Sequence, residues 1–319
     1  MTNKMHFDLK KAPPLLKVKN FSLSFPQYKK GFEESFIHVI RDFELTIHTG
    51  EIVAVVGSSG SGKSLLADSI LGILPNNAET KGSILFEGTP LTVKRQEQLR
   101  GKEISLIPQS VKALDPLMKT GKQVQSVIHN KKNKKELQEK AFLKLNLPPN
   151  TGNKYPFELS GGMARRVLIA TAMLSGAKLI VADEPTPGLD KQTWNETLTN
   201  IKQLSETNGG VMLITHDIYA ALEIADKIAV FYAGETIEIA NKEDFTGQGE
   251  RLRHPYTKAL WNALPENNFK PLKGNQPKSE EVFTGCVFEP RCPIATEYCK
   301  KNKPKSKVIN NGITRCFYA

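Results

Sequence analysis

The chain has 319 residues, 39 % of them hydrophobic and 24 % charged, a balance ordinary for a soluble globular protein of one large domain or two unequal ones. No run approaches the about 18 apolar residues of a membrane span, and the N-terminus lacks the apolar core of about 7–15 residues that export signals carry, so the chain is expected to stay in the cytoplasm. Forty-four Lys and Arg against 33 Asp and Glu leave a net charge of +11. That excess is scattered apart from clusters at 131–135 and 300–307, which do not interleave aromatics as a base-stacking surface does, so no nucleic-acid partner is expected.

In chain order, residues 1–14 read as a lead-in ending at Pro13-Pro14. Residues 15–25 alternate enough for a strand, 27–35 form a polar, turn-like insertion, and 39–47 make a second strand. The apolar run 52–56 is a buried strand, followed by a helix over 64–74 that Pro75 stops. Residues 81–88 are a further strand and turn, and 104–108 a short apolar run ending before Gln109. From 111 to 175 the pattern is helical, broken by Pro and Gly. Strands return at 178–182 and 211–215, a helix at 218–225, and a hairpin at 228–231 and 235–239 around Ala233-Gly234. Strands alternating with helices predict a largely parallel α/β sheet with a helical insertion. Near 245 the composition shifts to Gly, Pro, Lys and Asn, and a small cysteine-bearing unit closes the chain.

Two stretches carry chemistry by themselves. Gly57-Ser58-Ser59-Gly60-Ser61-Gly62-Lys63-Ser64, directly after the 52–56 strand, fits G-x-x-x-x-G-K-[ST], the phosphate-binding loop. Its glycines let backbone N–H groups turn inward onto phosphate oxygens, and the helix it opens through Leu65 adds a positive end. Lys63 is placed to reach the β- and γ-phosphates, and the Ser64 hydroxyl to ligate Mg²⁺. The second stretch, 178–182 followed by Asp183-Glu184, is a buried strand ending in two acids. Asp183 is suited to the Mg²⁺ shell and Glu184 to orienting or deprotonating an attacking water. Binding of a nucleoside triphosphate, ATP by the resemblance below, is the expectation.

Leu159-Ser160-Gly161-Gly162-Met163 then resembles the signature motif of ABC-type ATPases. The resemblance covers about 15–245. It implies a RecA-like core sheet, an antiparallel N-terminal β-subdomain and a helical signature subdomain at about 110–176. In that family ATP lies between two subunits, so Ser160 and Gly162 are implied to serve the partner's nucleotide. By the same resemblance Gln109 is the Q-loop glutamine near Mg²⁺, Pro187-Gly188-Leu189-Asp190 the D-loop, and His216 the switch histidine at the γ-phosphate. Phe25 is the candidate for stacking on adenine, with Tyr28 and Phe36 as alternatives.

The tail narrows the resemblance. Met163 ends the signature where most of the superfamily has Gln. His254-Pro255-Tyr256-Thr257-Lys258-Ala259-Leu260, and Gly285-Cys286-Val287-Phe288-Glu289-Pro290-Arg291-Cys292-Pro293 with Cys299, resemble the oligopeptide/dipeptide/nickel importer ATPases. Pro108-Gln109-Ser110-Val111 departs from the Phe-Gln-Asp-Pro that many members carry, which leaves the subgroup open. The implied partners are a second ATPase subunit, two transmembrane permease subunits and an extracellular substrate-binding protein, with this chain peripheral on the cytoplasmic face of the membrane. The implied cargo is a short peptide, nickel or a metal chelate. The alternative is a soluble ABC ATPase acting on nucleic acid or accessory to a phosphonate-breakdown-type enzyme complex.

All four cysteines, Cys286, Cys292, Cys299 and Cys316, lie in the last 34 residues with C-x5-C-x6-C-x16-C spacing. Structural zinc prefers tighter pairs, so a Cys₄ [4Fe–4S] cluster, which some of these importers carry, is the expectation, with zinc or free thiols as alternatives. The extension 246–319 is expected to be clipped by that site.

Overall fold

The computed structural model describes residues 13–28, 34–129, 132–207, 209–277, 281 and 283–319; the expected lead-in is thus almost wholly outside the described residues. Its strands are β1 (Leu16–Tyr28), β2 (Glu34–Ile47), β3 (Ile52–Val56), β4 (Glu79–Phe86), β5 (Thr89–Pro90), β6 (Ile104–Ile107), β7 (Leu179–Asp183), β8 (Gly210–Thr215), β9 (Lys227–Tyr232), β10 (Glu235–Asn241), β11 (Lys307–Ile309) and β12 (Gly312–Thr314). The α-helices are α1 (Lys63–Leu71), α2 (Val93–Leu99), α3 (Thr120–Ser126), α4 (Lys134–Lys144), α5 (Gly161–Ser175), α6 (Lys191–Glu206), α7 (Ile218–Ile224), α8 (Pro255–Asn262) and α9 (Glu297–Lys301).

β3 explains the layering. Ile52, Ala54 and Val56 enter one apolar core while Val53 and Val55 enter another, so the strand is buried on both faces and reads as an unbroken apolar run. β7 divides likewise, Ile180 and Ala182 against Leu179 and Val181. These strands belong to an eight-stranded sheet, order β11-β12-β10-β9-β3-β8-β7-β6, parallel from β9 to β6. An antiparallel sheet, β2-β1-β4-β5, covers the second core. The first core lies under α5, α6 and α7 and extends to Val124, Ala141 and Phe142 of α3 and α4.

Most expected elements form, with shifted ends. β1 runs on to Tyr28 and β2 starts at Glu34, so the polar insertion shrinks to a short link. α1 stops at Leu71, because Gly72 takes a left-handed φ of 67° and caps it before Pro75 is reached. α6 has no counterpart in the sequence reading. Its buried face alternates Thr193 and Thr197 with Leu198, Ile201 and Leu204, so the helical period is present but the apolar contrast is thin.

The C-terminal residues do not stand apart from the rest of the fold. β12 pairs with β10 through Glu238↔Thr314 and Ile239↔Ile313, and Phe245, Leu252, Tyr256, Val287 and Phe288 lie in the first core. Arg253 ties the segment in from the inside. Its guanidinium reaches Glu238 at 3.3 Å and Asp244 at 2.9 Å and donates to the Ile309 and Asn310 carbonyls, satisfying charges that would be expensive to bury alone.

Candidate active site

Four adjacent parallel strands, in the order β3, β8, β7 and β6, end on one edge of the sheet. The loops leaving those ends carry the phosphate loop, His216, Asp183-Glu184 and Gln109. This is where open α/β sheets gather their ligand groups.

After Val56 the chain turns at Gly57, where a Cβ would sit 2.6 Å from the Phe231 carbonyl oxygen of β9. Gly62, at φ +97°, is the N-cap of α1, and a Cβ there would meet Val39 at 2.6 Å. Lys63 is 5 % exposed and donates to the Gly57 carbonyl (2.9 Å), the Ser58 carbonyl (2.7 Å) and weakly to Ser61 Oγ (3.5 Å). Burial draws its pKa down, opposed by Glu184 and Asp183. Leu65 packs against the second core, and Ser59 and Gly60 are exposed at the loop's rim.

Asp183 is buried at the end of β7, and burial raises its pKa; the Ser64 hydroxyl bond opposes this and Glu184 adds to it. Its Oδ1 has no hydrogen-bond partner. A buried, orphaned carboxylate oxygen beside a hydroxyl is a hard-oxygen donor pair, and it fits Mg²⁺.

Glu184 is the centre of the site. It adopts φ +44°, a strained conformation for a side-chain-bearing residue, held by its N–H donating to Ile214 O at 2.8 Å. Its Oε1 lies 3.0 Å from His216 Nδ1 and 3.9 Å from Lys63 Nζ, and its Oε2 accepts from Gln109 Nε2 at 3.3 Å. The turn thus aims one carboxylate at three of the residues named from the sequence.

Arg165 of α5 is a residue the sequence reading passed over. It is 8 % exposed and donates from one nitrogen to Glu184 O (3.2 Å) and from the other to Gln109 O (3.1 Å). A cation at a buried position of the signature helix was the available signal. The signature residue Ser160 caps that helix, accepting from Met163 N at 3.3 Å; Leu159 and Met163 pack on the first core, Gly161 faces open space and Gly162 lies near Thr193. Asp190 caps α6 through Thr193 N (3.0 Å) and Thr193 Oγ1 (2.7 Å), and those bonds lower its pKa.

A cleft of about 610 Å³ opens beside the loop. Its walls are Ile37, His38 and Val39 of β2, residues 58–61, Ala233 and Gly234, and, from the C-terminal extension, Gln276 and Pro277. Phe25 is not among these lining residues: it faces Ile37 across β1–β2 and packs on the second core. Phe36 is 39 % exposed, and the side chain of Tyr28 lies outside the described residues.

The four cysteines share one region. Cys286 N donates to Cys299 O at 2.8 Å. Burial is the main cause that pushes the Cys286 thiol up to about 11, and Cys299, Cys292 and Cys316 add to it. Cys292 and Cys316 are raised in the same way. Among the described residues no three His, Cys, Asp or Glu are grouped to hold a metal ion, and the expected [4Fe–4S] cluster finds no support there.

Residues 40–187 match the family described as ABC transporter, and residues 237–299 match the oligopeptide/dipeptide transporter C-terminal region. The chain is 34 % identical to the oligopeptide transport ATP-binding protein OppD of Escherichia coli (strain K12), covering 96 % of this chain and 94 % of that one. It is 33 % identical to the dipeptide transport ATP-binding protein DppD of Bacillus subtilis (strain 168), covering 94 % and 93 %. Among solved structures, the dimeric ATP-binding cassette MJ0796 bound to ADP and Pi superposes with a TM-score of 0.61 at 26 % identity, covering 71 % of this chain and 98 % of that one.

Proposed function

The chain belongs to the ABC transporter ATP-binding subunits, in the group that carries the oligopeptide/dipeptide C-terminal region, and on this premise we propose how it hydrolyses ATP to drive peptide uptake. The observation that carries the reading is the Glu184 carboxylate, held between His216, Gln109 and Lys63 where the parallel strands end.

Backbone N–H groups of 57–64 and the start of α1 bind the phosphates, and Lys63 exchanges its carbonyl partners for β- and γ-phosphate oxygens. Asp183 and Ser64, with Gln109 alongside, would hold Mg²⁺, which when bound neutralises charge on those phosphates. Glu184 accepts a proton from the water whose oxygen attacks the γ-phosphorus while the bond to the β,γ-bridging oxygen breaks, releasing ADP and phosphate. His216, half-exposed beside Glu184, faces the γ-phosphate and steadies both.

A partner ATPase completes the site by presenting its own signature helix, as Ser160, Gly161 and Gly162 do for the partner's nucleotide. We take 15–245 as the ABC unit and 246–319 as its peptide-importer extension, with the helical part at about 110–176 receiving a membrane subunit near 109–117. No helix among the described residues is long and apolar enough to cross a membrane. In this reading two permease subunits supply the path and this chain sits peripherally at the cytoplasmic face, which the naming of the relatives as transport ATP-binding proteins supports. An extracellular binding protein delivers the cargo. Short peptides are favoured over nickel or a metal chelate because the relatives are named for oligopeptides and dipeptides.

The test is an anaerobic pull-down of tagged chain from detergent-solubilised membranes, with partners identified by mass spectrometry. Two polytopic subunits and a second ATPase support the importer; recovery from the soluble fraction alone overturns it. Iron and acid-labile sulfide on the same protein decide the thiol site. Finding neither, with full cysteine content, sinks the cluster and leaves zinc or free thiols.

A further inference from the structure

The extension contributes a wall to the nucleotide cleft. Gln276 and Pro277 line it, and the Gln276 side-chain amide is hydrogen-bonded to Ser58 Oγ in the phosphate loop. The strap they belong to, 272–277, is pinned from both sides. Arg291, between Cys286 and Cys292 in sequence, donates Nε to Lys273 O (2.9 Å) and Nη2 to Leu272 O (3.5 Å). Its Nη1 reaches the Tyr232 hydroxyl at 3.3 Å, and its guanidinium lies 5.9 Å from the centre of that ring. Tyr232 directly precedes Ala233-Gly234, the opposite rim of the cleft. Past the strap, Arg41 of β2 donates to Glu281 O at 2.7 Å and stands 5.4 Å from the centre of the Phe283 ring.

We infer that strap 272–277 is a working wall of the nucleotide site, with Gln276 touching the ribose–base half of the nucleotide and Arg291 as the positioning residue that holds it there. This rests on the nucleotide reading above. The phosphates are already provided for by Lys63, the loop N–H groups and the α1 N-terminus. What the strap offers is a neutral amide and a prolyl ring, chemistry that suits a sugar and a base rather than a polyanion. Arg291 lines no part of the cleft; it reaches the nucleotide only through the strap. The sequence spacing between 276 and 58 hides this contact entirely.

Isothermal titration of the full-length chain with Mg²⁺–ADP, and separately with inorganic tripolyphosphate, tests it. Gln276→Ala and Arg291→Ala are each expected to weaken ADP binding roughly fivefold, the value of one or two lost hydrogen bonds, while tripolyphosphate stays within about twofold of wild type. Unchanged ADP affinity in Gln276→Ala overturns the wall, and in Arg291→Ala it overturns the positioning role. Parallel loss of ADP and tripolyphosphate also overturns the inference, because the substitution then acts by distorting the phosphate loop. If the wild-type chain binds neither ligand, the nucleotide reading itself fails. Unchanged thermal unfolding of Gln276→Ala keeps that variant interpretable should Arg291→Ala fold poorly.

Discussion

His216 Nδ1 stands 3.0 Å from Glu184 Oε1, and Lys63 Nζ is 3.9 Å from the same oxygen. These residues, 63, 184 and 216 in the sequence, follow the ends of three strands, and they meet because β3, β8 and β7 lie side by side in the sheet. The carboxylate is therefore flanked by the two groups proposed to hold the phosphate and to sense it. Glu184→Gln keeps the shape and removes the proton acceptor. ATP turnover of the assembled complex should fall by about 10²–10⁴-fold while nucleotide binding persists; turnover near wild type would remove Glu184 from the chemistry.

Arg165 tests positioning rather than chemistry. Its fork spans the carbonyls of Gln109 and Glu184, which a lysine's single ammonium cannot do. Arg165→Lys should lower kcat of the complex by roughly ten- to a hundredfold with KM for ATP nearly unchanged, as expected when the reacting groups are misaligned. Equal losses in kcat and in affinity would mean that the helix, not the carboxylate, has moved.

Gly57→Ala places a methyl 2.6 Å from the Phe231 carbonyl, so the loop or β9 must shift. Overpacking of this kind costs about 1–3 kcal/mol. Both a lower unfolding midpoint and at least about tenfold weaker nucleotide binding are expected, one tenfold step being about 1.4 kcal/mol. Urea unfolding and titration calorimetry on one preparation read out the two effects.

His254 supplies a pH dependence. It is fully buried as the N-cap of α8, accepts from Tyr256 N at 3.0 Å through Nδ1, and burial lowers its pKa from 6.5 to about 3. The unfolded chain takes up a proton below 6.5 that the folded chain refuses, so stability falls as pH falls through that window, by about 1.4 kcal/mol per unit from this residue. His254→Asn retains a capping acceptor without the titration. Its stability should be less dependent on pH than wild type between 6.5 and 4; identical slopes would assign the acid sensitivity elsewhere.

The local motifs were legible because each is bound by backbone geometry: a strand, a glycine turn and a helix must be contiguous to cradle a phosphate, and acids must follow a buried strand to reach it. Residues 52–64, 159–163 and 183–184 therefore declared themselves, and with them the alternation of strands and helices and the family. What sequence could not state was distance across the chain. Arg165 looked like an ordinary basic residue of a helix, and α6 hid its apolar face behind Thr193 and Thr197. Phe25 had the right residue type, but only the β1–β2 register shows that it stands opposite Ile37, a residue of the cleft wall, while packing on the second core. The composition change near 245 suggested a separate unit, but β12 needed an open strand edge and β10 offered one. Pairing of sheet edges and burial of shared apolar faces are decided between residues far apart in sequence. For that reason only the folded chain brings Gln276 to Ser58 and Arg291 to the strap beside them.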